Sequence, residues 1–317
     1  MSHLFQGRNN KFSYYLSGHL KRLYPKFLLK LDLDALQKTI KSFDEKAMYK
    51  RLNYYNKLNT PFSLEKDIEC IRDISGRHGV YSLDLMEYTR YFPQEYKLSY
   101  VFGNVTNTPN VPSMVKSRPI IDNHNAILMK MNKVRHFYFV NDQTQFKDKR
   151  DQLVWRGAAH QQHRIDFLQK FYNHSKLLDV GSYSKQHDKD AKWQASFMSI
   201  QDQLKFKFVL SIEGNDVATS TKWTMSSNSL CFMTKPKYET WFMEGELVPN
   251  YHYVLIKDDY SDLEQKVNYY IEHAQEAEEI ISNANQYVQQ FKDNKSEDWL
   301  NLKVLEKYFD LSGQSQQ

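Results

Sequence analysis

Residues 207–233 read KFVLSIEGNDVATSTKWTMSSNSLCFM. The apolar run ending at Ile212 has the length of a strand, and the polar turn Glu213-Gly214-Asn215-Asp216 stops it. A helix is predicted over Ser220–Ser227, and a second strand over Ser229–Met233. Strand, helix and strand in so short a space form a parallel βαβ unit. A Gly-containing loop at the carboxyl end of such a strand, opening into a helix, turns free backbone N–H groups toward an anion. Ser220 and Lys222, in the first turns, add a hydroxyl and a fixed cation. Gly214, Asn215, Ser220 and Lys222 are therefore candidate phosphate-binding positions, against the plain alternative of an ordinary turn.

The same logic extends outward from this unit. LVWRGAAHQQHRIDFL, residues 153–168, is again strand, turn and helix. Arg156 and Gly157 directly follow its apolar run, and Arg164 lies in the helix predicted over Arg164–Tyr172. A guanidinium at a strand end matches phosphate bidentately. His160 and His163 are too few for a metal site and read as polar pocket or surface residues. Further β-prone runs are LSYVFG from Leu98, FYFV at Phe137–Val140, LLDV at Leu177–Val180 and YVLI at Tyr253–Ile256, with another helix over Ile200–Lys205. VFGNVTNTPNVPSMVKSRPI, residues 101–120, reads as a stiff polar loop at a strand end, and Lys116 and Arg118 are candidate acceptor or phosphate contacts.

The first hundred residues read as mainly helical. Asp34 is expected to cap a helix through residues 35–58, and Ser82 another through residues 83–92. Near the C-terminus Ser261 with Glu264 reads as a capping box, followed by AEEIISNANQYVQQF with its own apolar face. The expected division is an N-terminal, acceptor-side domain over residues 1–150, helical at first and then Rossmann-like. A nucleotide-sugar-binding Rossmann-like domain follows over residues 151–290, then a C-terminal helix over residues 291–317 that packs back on the N-terminal domain.

Composition bounds the function. The chain has 317 residues, 41% hydrophobic and 15% aromatic, with few Gly and Pro, so it folds as a globular protein. Two cysteines, Cys70 and Cys231, give no disulfide framework or zinc motif and fit a reducing compartment. No signal peptide or membrane-spanning run is apparent, which points to a cytoplasmic protein. Residues 1–60 carry 12 Lys and Arg against 4 Asp and Glu, whereas residues 258–317 carry 5 against 13. The basic end also holds Phe5, Phe12, Tyr14, Tyr15, Tyr24 and Phe27, which suits peripheral contact with an anionic membrane surface or a phosphorylated acceptor; a solvated helical face is the alternative. Asp32/Asp34 and Asp188/Asp190 have the spacing of a metal-binding carboxylate pair, but neither follows a buried strand, and no metal is expected.

VWRGAAHQQHR, EGNDVATSTKW and SNSLCFM followed by WFMEGELVPNYHYVLIKDDYSDL together resemble the motifs of CAP10/Rumi-type glycosyltransferases, glycosyltransferase family 90, over about residues 95–290. The likeness is greatest to bacterial enzymes that add hexoses to a lipopolysaccharide or lipooligosaccharide core. It implies a GT-B fold, two Rossmann-like domains facing a central cleft, and no cofactor. It also implies a UDP-sugar donor, glucose or galactose, a lipid-linked oligosaccharide acceptor, and inversion without a metal. By position it marks Arg156, Gly157, Gly214, Val217, Ala218, Ser220 and Lys222 as donor-binding. Asn107 stands where animal members carry the aspartate that resembles a general base, which leaves Asp122, Glu213 and Asp216 as the candidate bases. Alternatives are a protein or capsular polysaccharide acceptor, a non-catalytic sugar-binding relative, or a nucleic-acid-binding protein. Nucleic acid is not expected, because no RNA-stacking motif is present.

Overall fold

A computed structural model describes residues 44–74, 79–184 and 192–315, with residues 14–16, 18, 29, 33 and 36 nearer the N-terminus. Asp34, the Asp188/Asp190 pair and most of the basic, aromatic N-terminal stretch lie outside the described residues. In chain order the elements used below are α1 (Glu45–Tyr55), α2 (Val80–Thr89), β1 (Tyr100–Val101), β2 (Ser113–Val115), β3 (Ser117–Pro119), β4 (Ala126–Leu128) and β5 (Arg150–Gly157). Then come α3 (Gln162–Phe171), β6 (Leu178–Ser182), α4 (Ile200–Gln203), β7 (Phe206–Leu210), α5 (Ser220–Met225) and β8 (Leu230–Met233). The last are β9 (Tyr238–Thr240), β10 (Val254–Leu255), α6 (Leu263–Glu272), α7 (Ala274–Gln289) and α8 (Asn294–Leu311). The protein is a mixed α/β structure with parallel sheets.

It divides into two compact units. One comprises His136–Pro236 and Gly245–Gln290; the other holds the described part of Asn9–Arg135 together with Lys237–Glu244 and Phe291–Gln317.

The first unit is built on a five-stranded sheet in the order β10-β8-β7-β5-β6, in which every neighbouring pair is parallel. Strands covered on both faces need continuous apolar runs, and β7 and β8 are buried at every position. Side-chain alternation sends Leu153, Trp155, Phe208 and Leu210 to one face, where they pack with Phe167 and Phe171 of α3, Val267 of α6 and Ile280 of α7. Val154 and Val209 face the other way, against Trp223 of α5, with Ile200 of α4 packed alongside. Phe137–Val140, expected as a strand, lies outside strands β1 to β10; the Val140 N–H donates to Ser226 Oγ at 2.9 Å.

The second unit contains a parallel sheet β1-β2-β4 and an antiparallel pair β3-β9. Residues 113–119, expected as part of a polar loop, thus form two strands. Their polar side chains find partners inside the unit, so they do not force the chain to the surface. Arg118 is fully buried. It donates to Glu239 Oε1 at 2.7 Å and to the carbonyls of Tyr54 at 2.7 Å, Tyr55 at 3.2 Å and Ala126 at 2.8 Å. Two of these carbonyls end α1, where a cation offsets the helix dipole. A second buried carboxylate, Glu297 of α8, accepts from Arg51 at 2.5 Å, Lys130 at 2.8 Å and Trp241 Nε1 at 2.7 Å. Tyr55 stacks on Trp241 with centroids 3.7 Å apart.

The caps differ from those expected. Ser82 lies inside α2, which starts after Gly79 at φ 59°, and its hydroxyl donates to the Gly79 carbonyl at 3.0 Å. Ser261 does not cap α6: Asp262 precedes the helix, and the Ser261 N–H donates to Asp259 Oδ1 at 3.0 Å. Asp44 caps α1 by accepting from the Ala47 N–H at 3.1 Å.

Removing a carboxylate that two buried cations share leaves both uncompensated. Glu297→Ala is expected to lower the unfolding free energy by about 3–5 kcal/mol in a urea titration, and Glu297→Gln, which keeps an acceptor for Trp241, by less.

Candidate functional site

In the five-stranded sheet the chain runs outward from β5 to β6, then returns past β5 to add β7, β8 and β10 in the opposite direction. The winding therefore reverses between β5 and β7. At such a reversal the connections leave in opposite directions and open a crevice at the carboxyl ends of the two strands. Gly157 ends β5, and Ser211–Thr219 follows β7, so both candidate motifs lie at the carboxyl ends of that pair.

Arg164 joins them. From α3 it donates through Nε to Glu213 O at 2.8 Å and through its two amino groups to Ile212 O at 2.7 Å and Ala158 O at 3.0 Å. Its guanidinium lies 5.8 Å from the Trp155 ring centroid and 3.5 Å from where a Cβ on Gly214 would stand. Arg164, expected as a donor contact, ties the loop after β5 to the loop after β7 and offsets three carbonyl ends that would repel an anion. His163 Nε2 adds a contact to Glu213 O at 2.9 Å, and Gln161 donates to Asn215 Oδ1 at 2.9 Å.

Gly157 is required by packing, since a Cβ there would stand 2.5 Å from the Trp155 ring. Arg156 is paired laterally. Its guanidinium meets the Asp179 carboxylate and donates to the Asp179 carbonyl at 2.8 Å, and its buried Nε has no partner. Beyond β7, the Gly214 N–H donates to Asp216 O at 3.0 Å, closing the turn. Asp216, Val217 and Ala218 are buried, Glu213 is half-buried and Asn215 exposed. Ser220 opens α5, and its hydroxyl is held 3.0 Å from that of Ser211. Lys222 is fully buried in the same short helix. Burial pushes the Cys231 thiol up to about 12, so it stays protonated beneath the loop, and pushes the Tyr260 hydroxyl to about 12 against the pull of Arg164.

The chain matches the family described as Glycosyl transferase family 90 over residues 125–314. It is 43% identical to "O-glucosyltransferase LpsA" of Dichelobacter nodosus over 309 residues, 95% of this chain and 96% of that protein. This chain belongs to glycosyl transferase family 90. It is a glycosyltransferase, as the three motifs suggested. Other relatives are similar over less of their length: "Protein O-glucosyltransferase 3" of Homo sapiens is 30% identical over 42% of this chain and 27% of its own. "Protein O-glucosyltransferase 2" of Danio rerio is 24% identical over 50% and 32%.

The remaining candidates of this family 90 chain belong to the other compact unit. Lys116 is buried, with Nζ 2.9 Å from Asn104 Oδ1, and Arg118 is the core ion-pair residue described above, its donors occupied internally. Asn107 and Asp122 are exposed; the Asp122 carbonyl accepts from the Thr108 hydroxyl. Among the described residues no helix is long and apolar enough to cross a membrane.

Sequence reading did not single out Trp155, Asp179 or Ser211. Trp155 and Ser211 are one or two residues from motif positions. Asp179 becomes visible only once strand register places β6 beside β5.

If Arg164 fastens the crevice, a single ammonium cannot replace three directed donors. Arg164→Lys is expected to lose about 1–3 kcal/mol of stability by chemical denaturation and most of the transferase activity. Gly157→Ala, which drives a methyl group into Trp155, is expected to lose about 1–3 kcal/mol by the same measurement.

Proposed function

We propose that this family 90 enzyme transfers a hexose, glucose or galactose, from a UDP-sugar to a lipopolysaccharide or lipooligosaccharide core acceptor, without a metal and with inversion. The observation that carries the donor site is the reversal of sheet winding between β5 and β7, which brings the Arg156-Gly157 and Glu213–Lys222 segments to one crevice. The acceptor class rests on the relative named LpsA, similar over nearly its whole length. The two compact units are read as the two halves of a GT-B enzyme, and the half with the five-stranded sheet as the donor-binding one.

The loop after β7 supplies what a diphosphate requires. Backbone N–H groups of residues 215–220 and the Ser220 hydroxyl are read as the donors to its oxygens. Lys222 contributes positive charge at the base of the loop, and such charge is worth most where water is excluded. As the glycosidic bond breaks, negative charge grows on the leaving diphosphate, so these groups hold the transition state more tightly than the ground state. The acceptor hydroxyl must lose a proton, and Asp122, Glu213 and Asp216 are the carboxylates carried forward for that role.

A thermal-shift comparison of UDP-glucose, UDP-galactose, GDP-mannose, UDP and a short oligonucleotide, each with and without EDTA, tests the reading. A ligand at a hundredfold its Kd stabilises the folded state by about 2.7 kcal/mol. A chelator-insensitive shift with one UDP-sugar is expected, and a shift with the oligonucleotide alone would reject the proposal. The base is expected to be the carboxylate whose amide variant, among Asp122→Asn, Glu213→Gln and Asp216→Asn, lowers kcat at least about a hundredfold while donor binding is retained.

A further inference from the structure

On the β5 side of the crevice the sheet continues to β6, and β6 ends in an aromatic pair that the core does not use. Tyr183 directly follows Ser182, and its N–H donates to Gly157 O at 3.3 Å, which sets it level with the end of β5. Phe197 lies on the segment returning along β6. There the Ala195 N–H donates to Ser182 O at 2.8 Å, and Gln194 bridges Ser182 in parallel. The two rings meet edge to face, centroids 5.5 Å apart and planes at 79°. Tyr183 is 39% exposed and Phe197 62%. Single exposed apolar residues need no explanation. Two rings held in contact at the carboxyl edge of a parallel sheet, beside the site, form a preformed surface for a flat ligand.

We propose that Tyr183 and Phe197 are the platform on which the base of the nucleotide donor stacks. The proposal rests on the donor-site reading given above. Adjacent strands lie about 4.8 Å apart, so the end of β6 is about 10 Å from the end of β7, where the loop is read as holding the diphosphate. When a phosphate binds after one strand of a parallel sheet, its nucleoside reaches over a neighbouring strand end. On the far side of β7 the chain leaving β8 runs Thr234-Lys235-Pro236, and its next ring, Tyr238, belongs to β9 of the other unit. On the near side it offers two rings. An aromatic face accepts any base, so this platform supplies affinity for the nucleotide and leaves the choice of base to other contacts.

The test is calorimetric titration of the full chain with UDP, ADP and inorganic pyrophosphate. The variants are Tyr183→Ala with Phe197→Ala combined, and Tyr183→Phe and Phe197→Tyr separately. The double alanine variant is expected to bind UDP and ADP about tenfold or more weakly, to keep any pyrophosphate affinity of the parent and to melt at the parent's temperature. The ring-preserving variants are expected to bind UDP as the parent does. Unchanged UDP affinity in the double variant, with UDP bound by the parent, would overturn the platform and leave the donor site standing. Equal weakening of UDP and pyrophosphate, or a raised acceptor KM at unchanged UDP affinity, would also overturn it. A parent chain that binds no nucleotide would remove both readings together.

Discussion

A parallel sheet that grows outward in two directions from one pair of strands leaves the carboxyl ends of that pair uncovered by any crossover. In this chain the pair is β5 and β7. Everything assigned to the donor follows from that reversal, because it brings loops more than 50 residues apart in sequence together without bending either strand. Two loops that meet only at their strand ends also need something to hold them at a fixed distance. Arg164 does this with three directed hydrogen bonds to carbonyls on both sides, over Trp155, and Gly157 lacks a side chain because Trp155 lies where it would go.

The second unit achieves rigidity by another route. Its core contains ionised side chains, Arg118 with Glu239 and Arg51 and Lys130 with Glu297, each buried and each hydrogen-bonded several times. Buried ion pairs contribute less to net stability than their Coulomb energy suggests, since both partners lose water. What such pairs enforce is alignment, because a displaced partner would leave an uncompensated charge. Arg118 aligns the end of α1 with β3, β4 and β9 in this way, a task for which an apolar side chain has no directional equivalent.

The parallel sheet was legible in the sequence because its strands are apolar runs bounded by turns, as in KFVLSI and SLCFM, and because periodicity separates them from the amphipathic helices. The two loops at the candidate site were legible for the same reason: Gly and polar residues directly follow those runs. Strands β2 and β3 were not, since Lys116, Ser117 and Arg118 read as solvated and the charges that bury them, such as Glu239, are distant in sequence. The internal contacts of Arg164 and Arg156 were hidden too. A guanidinium beside a strand end looks alike whether it awaits a phosphate or holds a carbonyl or Asp179, and only register and rotamer distinguish the cases.

Neither compact unit is continuous in the chain. Residues 237–244 leave the five-stranded unit between β8 and β10 to place β9 beside β3, and the last 27 residues return to the unit that holds α1. The ribosome therefore delivers Arg118 121 positions before Glu239, and Arg51 246 positions before Glu297. Until the C-terminal helix emerges, Arg51 and Lys130 lack the carboxylate of Glu297, and the earlier unit cannot reach its final packing. The unit with the five-stranded sheet, whose described strands and helices lie between residues 136 and 290, is free to mature first. A nascent chain stalled shortly before α8 would thus present one finished half and one still waiting.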